Sequence, residues 1–218
     1  MGVKKNLIVG TDGGLKNEVG TTGVVTEIAD DPTVNIKALG AEHCSKKTLQ
    51  SNREELKGIL TAEIILHQCS KLWGGHLTRD VTSICDSKNA LKDVEVLKEN
   101  WKQRDVMKAE AEVAMQIYAL REGSKLIRDY IWTKGNQIED EVEDINSNWV
   151  RVNNIADALA TEARDNVNEG LIMAEPKQFL PASNISLTIA EKRISKQLKK
   201  SIHQVVSDTK LVEFLCTK

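Results

Sequence analysis

Four carboxylates have the types and spacing that could support chemistry: Asp12, Glu55, Asp86 and Asp157. Each one either follows a run of residues that predicts a strand or lies close to a predicted helix start. Side chains at such positions can converge from distant parts of a chain. Because neighbouring carboxylates repel one another, a cluster of them stays ionised only when cations neutralise it. The hard divalent cation Mg²⁺ fits such oxygen ligands, and phosphodiester cleavage is the corresponding chemistry.

Three short strands are predicted to open the fold. The apolar run 6–11 indicates a buried strand that ends at a turn over residues 12–14. A second strand is predicted over residues 20–27 and a third within residues 34–43. The connection between the first two strands is short and contains Gly and Asn, so we expect these two strands to run antiparallel.

Helices and strands alternate in the next part of the sequence. Ser51 and Glu54 have the spacing of a capping box, which predicts that a helix starts at Ser51. The later predicted elements are a strand over 81–85, helices over 87–97 and about 104–121, a strand over 125–133, and a helix from Asn153 or Asn154 to about Arg164. This order predicts an α/β fold with a five-stranded mixed sheet, three antiparallel strands followed by parallel ones, flanked by helices.

The composition and the hydrophobic pattern of the sequence change near its C-terminal end. Pro176 and Pro181 indicate a linker, residues 185–194 could form a hairpin, and a basic amphipathic helix is predicted after Ile194. We therefore expect a catalytic domain over residues 1–168 and an extension over 169–218. The basic helix is expected to dock on the domain or on a neighbouring module rather than to grip nucleic acid.

Composition limits the classes of function. The apolar content of 40% and the charged content of 28% are typical of a soluble globular protein, and the net charge of −2 provides no overall attraction for nucleic acid. Four cysteines without a C-x-x-C pair argue against a zinc site and for reduced thiols. No apolar run approaches the roughly 20 residues that span a bilayer, and no secretory signal is evident. We expect an intracellular protein, cytoplasmic or nuclear, without a membrane partner.

Four local motifs, taken in this order, resemble those of the type I ribonuclease H family over about residues 5–166. The motifs are Thr11-Asp12-Gly13-Gly14 on the first strand, Asn52-Arg53-Glu54-Glu55-Leu56 at the first helix, Cys85-Asp86-Ser87 after the fourth strand, and Asn154-Ile155-Ala156-Asp157-Ala158-Leu159-Ala160 in the last helix. Any one motif would be weak evidence, but the shared order is specific. The resemblance is closest to the ribonuclease H domain of eukaryotic retrotransposon reverse transcriptases.

This resemblance implies a ribonuclease H-like fold and a metal-dependent endonuclease that hydrolyses the RNA strand of RNA–DNA hybrids. It implies two-metal-ion catalysis with two Mg²⁺ ions, or Mn²⁺, and products with 5′-phosphate and 3′-hydroxyl ends. The four carboxylates would be catalytic and would hold the metal ions, with Asp12 bridging them. The register of the second motif assigns Glu55 to the metals and Glu54 to helix capping.

Six positions in or beside the motifs are predicted to bind the substrate: Gly13, Gly14, Ser51, Asn52, Ser87 and Asn136. Asn52 matches a family position that contacts the hybrid in its minor groove, where the 2′-hydroxyl distinguishes RNA from DNA. Asn136 stands where many family members have a His. Because Asn is neither an acid nor a base, we expect a slower enzyme, since proton-transfer assistance contributes about 10²–10⁴-fold.

Two features favour a retroelement origin within this resemblance. The segment 104–121 is not strongly basic, unlike the protrusion with which cellular relatives grip the hybrid, and the C-terminal extension is weakly similar to one found in retrotransposon polyproteins. We therefore expect a fragment of a reverse-transcriptase polyprotein or a domesticated relative. Its partners would be an RNA–DNA hybrid and an adjacent polymerase module. The acidic segment 139–144 is either a solvated loop or a neighbour of the metals.

Other interpretations remain open at the level of sequence. Asp12 could simply form a turn, Asp86 could cap a helix, and Glu55 and Asp157 could be first-turn acids. The chain could also be an inactive ribonuclease H-like spacer or hybrid-binding module, although such modules typically lose carboxylates. Another nuclease or a transposase of the same fold is a further alternative. A proofreading exonuclease would need an acid at position 14, where this chain has Gly14.

Overall fold

The computed structural model describes residues 6–44, 51–73, 80–96, 110–124, 126–139 and 144–171, together with the short segments 188–189 and 192–193. Its strands are β1 (Leu7–Lys16), β2 (Val19–Ile28), β3 (Asp31–His43), β4 (Asp80–Cys85), β5 (Ile127–Trp132), β6 (Thr188–Ile189) and β7 (Lys192–Arg193). Its helices are α1 (Ser51–Trp73), α2 (Lys88–Val96), α3 (Ala111–Glu122) and α4 (Asp144–Asn168).

The main sheet has five strands in the order β3-β2-β1-β4-β5. β1, β2 and β3 pair antiparallel, whereas β4 runs parallel to β1 and β5 runs parallel to β4. This is the mixed sheet that the sequence predicts. Parallel pairing between β1 and β4 is possible because α1 provides the crossover that brings the chain back to the same edge.

The turn predicted over residues 12–14 is wrong. β1 continues to Lys16, and the hairpin to β2 closes at Asn17 and Glu18, whose φ angles of 52° and 64° lie in the left-handed region. Two such residues form the turn that best matches the twist of a β-hairpin. Gly13 has a different purpose, because a Cβ atom there would collide with the backbone of Glu54 and Glu55 at the start of α1.

Helices cover both faces of the sheet. Alternate residues of β1 point to opposite sides, so Leu7 and Val9 pack with α1, whereas Ile8 packs with α4. α2 and α3 extend the α1 layer through a cluster that includes Leu60, Leu91, Val113 and Ile117. The carboxyl ends of β4 and β5 therefore lie between two helical layers.

α4 lies directly on the antiparallel part of the sheet. A Cβ atom at Gly23 of β2 would collide with the backbone of Ala156, and one at Gly10 of β1 would collide with Val152. Two glycines on adjacent strands thus provide the space in which the helix backbone approaches the sheet. This contact places Ala156, the neighbour of Asp157, against Gly23, which pairs with Asp12 in the β1–β2 ladder.

Several predicted boundaries differ from the structure. α4 starts at Asp144, about nine residues before the predicted caps Asn153 and Asn154, because the apolar spacing of the helix extends upstream through Trp149. Asp157 is consequently in the middle of a helix, and the first-turn explanation of that acid is wrong. Of the acidic segment, Glu139 is described as the end of a loop and Asp144 as the first residue of α4, and residues 140–143 lie outside the described residues.

The helices predicted over 87–97 and about 104–121 correspond to α2 and α3 where the chain is described. α2 begins at Lys88, and α3 begins after Glu110, so the predicted start near residue 104 lies outside the described residues. β6 and β7 pair antiparallel within the segment 185–194, where the hairpin is predicted, and the predicted basic helix lies outside the described residues. Cys44, Cys69 and Cys85 are buried free thiols. Among the described residues, no helix has the length and hydropathy of a membrane span.

Candidate active site

Asp12 and Glu55 meet at the junction of β1 and α1. β1 pairs with β4 as far as Gly10 opposite Ile84, so Asp12 lies just beyond the end of that ladder. The close approach of Gly13 to the start of α1 brings Glu55 over the same point of the sheet. Both side chains are only 8% exposed.

Asp86 and Asp157 complete the group from two other elements. Asp86 is half-buried and follows β4 directly, and Asp157 is exposed on α4. The charge of Asp157 raises the pKa of both Asp12 and Asp86, which places it beside them. The structure thus brings together all four carboxylates that the sequence singles out.

The electrostatics of the site disfavour four negative charges. Burial is the largest cause of a pKa of about 9 for Glu55, and repulsion by Asp12 and Asp86 adds to it. Burial also raises the pKa of Asp12 to about 6, with contributions from Asp86 and Asp157, while Arg164 acts in the opposite direction. The pKa of Asp86 is raised by burial and by Asp157. Full ionisation of the group therefore requires additional positive charge.

Cys85 lies at the floor of the site. Single ligand atoms of Glu55, Cys85 and Asp86 all lie within 4.8 Å of one another, and the Cys85 thiol donates to Glu55 Oε2 at 3.9 Å. Burial, followed by the charge of Glu55, raises the pKa of the Cys85 thiol, so it keeps its proton. The sulfur is therefore a neutral hydrogen-bond donor, and the ligands on offer are carboxylate oxygens.

A second acidic cluster shows what a neutralised group looks like in this fold. Glu42, Cys44 and Glu54 also bring their ligand atoms within 4.8 Å. There the Lys57 ammonium pairs with Glu42 and lies 2.7 Å from Glu54 Oε1. That cluster already contains its cation, and Glu54 is structural, although its partners are Lys57 and Cys44 rather than the expected Ser51.

The group around Asp12 has no comparable partner. Within the described ranges, no lysine or arginine forms an ion pair with Asp12, Glu55 or Asp86. Buried hard oxygen donors without a side-chain cation suit a divalent ion such as Mg²⁺ or Mn²⁺. The residues present therefore fit the metal ions that the sequence resemblance implies.

The residues predicted to bind the substrate differ in exposure and in hydrogen bonding. Ser51 is exposed at the start of α1, whereas the Asn52 amide donates to Asp93 Oδ2 at 3.0 Å. The Ser87 hydroxyl accepts from the Ala90 backbone N–H at 3.3 Å and so caps α2. The capping interpretation therefore applies to Ser87 and leaves the carboxylate of Asp86 available for the site.

Gly13, Gly14 and Asn136 complete that set. Gly13 and Gly14 lie within the β1–β2 ladder next to Asp12, opposite Thr22 and Thr21. Asn136 is exposed, in the loop after β5, and has a left-handed φ of 55°.

Three residues of the site were not predicted from sequence. Gly135 packs so closely on Asp86 that a Cβ atom there would collide with Oδ2. Trp132 donates from its indole nitrogen to the Asp86 backbone carbonyl at 2.9 Å. Asn154 donates to the Gln137 carbonyl at 3.0 Å and fixes this loop against α4. Two sequence features could have indicated these residues. Trp132 and Gly135 lie at and just after the end of a predicted strand, and Asn154 lies three residues before Asp157.

Comparison with known proteins bears on the fold. No known protein-family profile matches the sequence, and no curated protein matches it. The N-terminal ribonuclease H domain of Rv2228c from Mycobacterium tuberculosis superposes with a TM-score of 0.50 at 16% identity, covering 77% of this chain and 99% of that one. The chain has a ribonuclease H-like fold.

A second solved structure with this fold is LC9-RNase H1, described as a type 1 ribonuclease H with the type 2 active-site motif. It superposes with a TM-score of 0.50 at 19% identity and covers 75% of this chain and 74% of its own length. At such identities the comparison establishes the architecture, and function must be argued from the site.

Proposed function

We propose that this chain is a metal-dependent endonuclease that hydrolyses the RNA strand of RNA–DNA hybrids. The observation that supports the proposal is the convergence of Asp12 from the interior of β1, Glu55 from the start of α1, Asp86 from the end of β4 and Asp157 from the middle of α4. Electrostatic repulsion among these buried carboxylates destabilises the metal-free protein. Cation binding would explain why the four groups lie together. The ribonuclease H-like fold makes this class of nuclease the first to test.

The roles of the residues follow from their positions. Asp12, Glu55, Asp86 and Asp157 would hold the metal ions, which we propose to be two. When bound, such ions activate a water molecule and stabilise the leaving oxygen, which leaves 5′-phosphate and 3′-hydroxyl ends. Gly135 and Trp132 keep Asp86 in place through the contacts given above. Asn136 cannot transfer a proton, so we expect a slow enzyme.

The substrate contacts are proposed from surfaces beside the carboxylates. Asn52 is the one of them that matches a family position by residue type, and Asp93 holds its amide nitrogen while its amide oxygen is buried without a hydrogen-bond partner among the described residues. A 2′-hydroxyl of RNA could donate to that oxygen only after the side chain turns toward the surface. Ser51 and Asn136 are exposed, and Gly13, Gly14 and Ser87 adjoin the carboxylates Asp12 and Asp86 in the sequence.

The wider context is also proposed. We infer that residues 1–168 are the catalytic domain and that the remainder is an extension. An origin in a retroelement reverse-transcriptase polyprotein, or a domesticated form, rests on the sequence resemblance described above, as do an adjacent polymerase partner and a cytoplasmic or nuclear location.

A substrate panel tests the reaction. Purified protein is incubated with end-labelled RNA–DNA hybrid, double-stranded RNA, double-stranded DNA and single-stranded DNA, each with Mg²⁺, Mn²⁺ or EDTA. We expect cutting of only the RNA strand of the hybrid, only with metal, and ligation-competent 5′-phosphate ends. Cutting of DNA instead would reassign the chain to another nuclease class, and metal-independent cutting would contradict the proposed site.

A further inference from the structure

A cation–π pair stands at the rim of the carboxylate group. The Lys88 ammonium lies 3.8 Å from the centroid of the Trp132 ring, well inside the range in which a cation is attracted to an indole face. Lys88 is the first residue of α2 and is exposed, and Trp132 is the last residue of β5 and is 44% exposed. Two elements thus hold a charged and an aromatic group together on the surface.

This pair is connected directly to the candidate active site. The Trp132 indole nitrogen donates to the backbone carbonyl of Asp86 at 2.9 Å. Lys88 follows Asp86 by only two residues, and Ser87 between them caps α2. The edge of the Trp132 ring is therefore hydrogen-bonded to the backbone of Asp86, a proposed metal ligand. The face of the same ring contacts the Lys88 ammonium.

A cation at this position would offset the negative charge that the carboxylates present to a nucleic-acid strand. A polyanionic strand that approaches four carboxylates is repelled unless positive charge also faces it. No carboxylate in the described part of the chain pairs with Lys88, so the ammonium is free to donate to an incoming anion. Stacking on Trp132 reduces the conformational freedom of the long side chain and so lowers the entropic cost of using it.

We propose that Lys88, held over Trp132, contacts a backbone phosphate next to the scissile one and positions the strand over the carboxylates. This inference rests on the proposed function. The contact is to a non-bridging phosphate oxygen and is independent of base sequence. Lys88 and Trp132 are positioning residues, because they act on substrate placement and leave the reacting bonds to the carboxylate site.

The test measures affinity without catalysis. A fluorescein-labelled RNA–DNA hybrid is titrated in EDTA with the full chain, over a range of salt concentrations. Lys88→Gln is expected to weaken binding about tenfold at low salt and to reduce the slope of log affinity against log salt by about one, as for one lost phosphate contact. Lys92→Gln is the matched control, because Lys92 is an exposed lysine on the same helix.

Variants of the ring separate positioning from simple charge. Trp132→Leu should weaken binding as Lys88→Gln does, and the double variant should be no weaker than either single one, because both disrupt one contact. Lys88→Arg keeps the charge and the stacking, and should restore affinity. In cleavage assays Lys88→Gln should raise KM and leave kcat within about twofold.

Equal affinities of Lys88→Gln and Lys92→Gln would overturn this proposal, as would fully additive effects of Lys88→Gln and Trp132→Leu. A thermal midpoint lowered by Lys88→Gln with unchanged affinity would also overturn it and assign the pair to stability alone. Binding is measured without metal and so does not depend on cleavage. A chain that binds the hybrid but does not cut it would contradict the proposed nuclease function, and the affinities of its variants would still test the role of Lys88.

Discussion

Individual carboxylates in this protein behave differently because of their neighbours. Glu54 and Glu55 are adjacent in sequence and almost equally buried, yet Glu54 faces Lys57 whereas Glu55 faces Asp12 and Asp86. One is neutralised inside the fold, and the other is left to take a proton or a metal ion. This difference, more than the number of acids, identifies the residues that could do chemistry.

The pH dependence of stability follows from Glu55. Its pKa in the folded protein is raised from 4.5 to about 9, so the protonated form is favoured by folding. Its contribution to stability is complete below about pH 4.5 and is lost as the pH rises toward about 9. In metal-free protein we expect the thermal midpoint to fall over that interval, and Mg²⁺ to raise it more at the alkaline end, because metal binding displaces protons.

Glu55→Gln isolates this effect. The amide stays neutral throughout, so the metal-free variant should lose most of the pH dependence above the pKa of about 6 that Asp12 has, and most of the stabilisation by Mg²⁺. Glu95→Gln, at an exposed position on α2, is the control and should follow the wild type. The same pH profile for Glu55→Gln and wild type, by thermal denaturation, would show that Glu55 is not the titrating group.

Gly135 leaves room for the Asp86 carboxylate because it has no side chain. Gly135→Ala introduces a methyl group that must displace the Asp86 carboxylate, while the backbone conformation is open to alanine. Displacement of a proposed metal ligand by about 1 Å should lower kcat about 10²-fold with little change in the thermal midpoint. Lys134→Ala is the neighbouring control. Full activity of Gly135→Ala would mean that Asp86 is not held where this account requires it.

At the scale of elements, local patterns determined much of what could be predicted. The order of strands and helices along the chain, the start of α1 at Ser51 and the convergence of four acids follow from apolar runs, a capping signature and motif order. The turn predicted at residues 12–14 is wrong because glycines that favour turns also occur inside strands, as Gly13 and Gly14 do in β1. Gly13 is required instead by the approach of α1, which is a tertiary contact that single-sequence propensities do not contain.

The start of α4 shows the same limit. Asn153 and Asn154 have the residue type of a helix cap, but Asn153 is buried within the helix and Asn154 binds the Gln137 carbonyl. A polar residue that serves a long-range hydrogen bond cannot be distinguished from a cap by its neighbours in sequence. For the same reason the contacts of Trp132, Gly135 and Lys88 around Asp86 became visible only in three dimensions.

Gly23 allows close packing of α4 on β2, and its substitution tests that packing. Gly23→Ala places a methyl group against the Ala156 carbonyl and should destabilise the protein by about 1–3 kcal/mol through overpacking. Gly40→Ala on β3 is the matched control, because its methyl group would meet only the Thr22 hydroxyl at 3.1 Å. Urea denaturation of the two variants gives the comparison. Equal midpoints would show that α4 has room to move away from the sheet.

At the scale of the whole molecule, the described core lies within the first 163 residues. The three buried apolar clusters contain residues from Leu7 to Leu159, and Ala163 is the last buried apolar residue. We therefore expect a chain that ends at residue 171 to unfold cooperatively, with a thermal midpoint within a few degrees of the full chain, and to keep its cleavage activity.

Calorimetry and the hybrid assay check this expectation together. A truncated chain that aggregates or melts without a cooperative transition would show that the extension belongs to the folded unit. A truncated chain that folds normally but binds hybrid much more weakly would assign nucleic-acid binding to the basic C-terminal segment.

Cleavage of an end-labelled RNA–DNA hybrid by wild type and Asp86→Asn in parallel decides whether the carboxylate group is catalytic. Asp129→Asn, at an exposed position on β5, serves as the matched control. We predict metal-dependent cutting of the RNA strand by wild type and Asp129→Asn, and a loss of at least about 10²-fold in Asp86→Asn with an unchanged fold. Equal activity of Asp86→Asn and wild type, or no cutting by folded wild-type protein with either Mg²⁺ or Mn²⁺, would contradict the account.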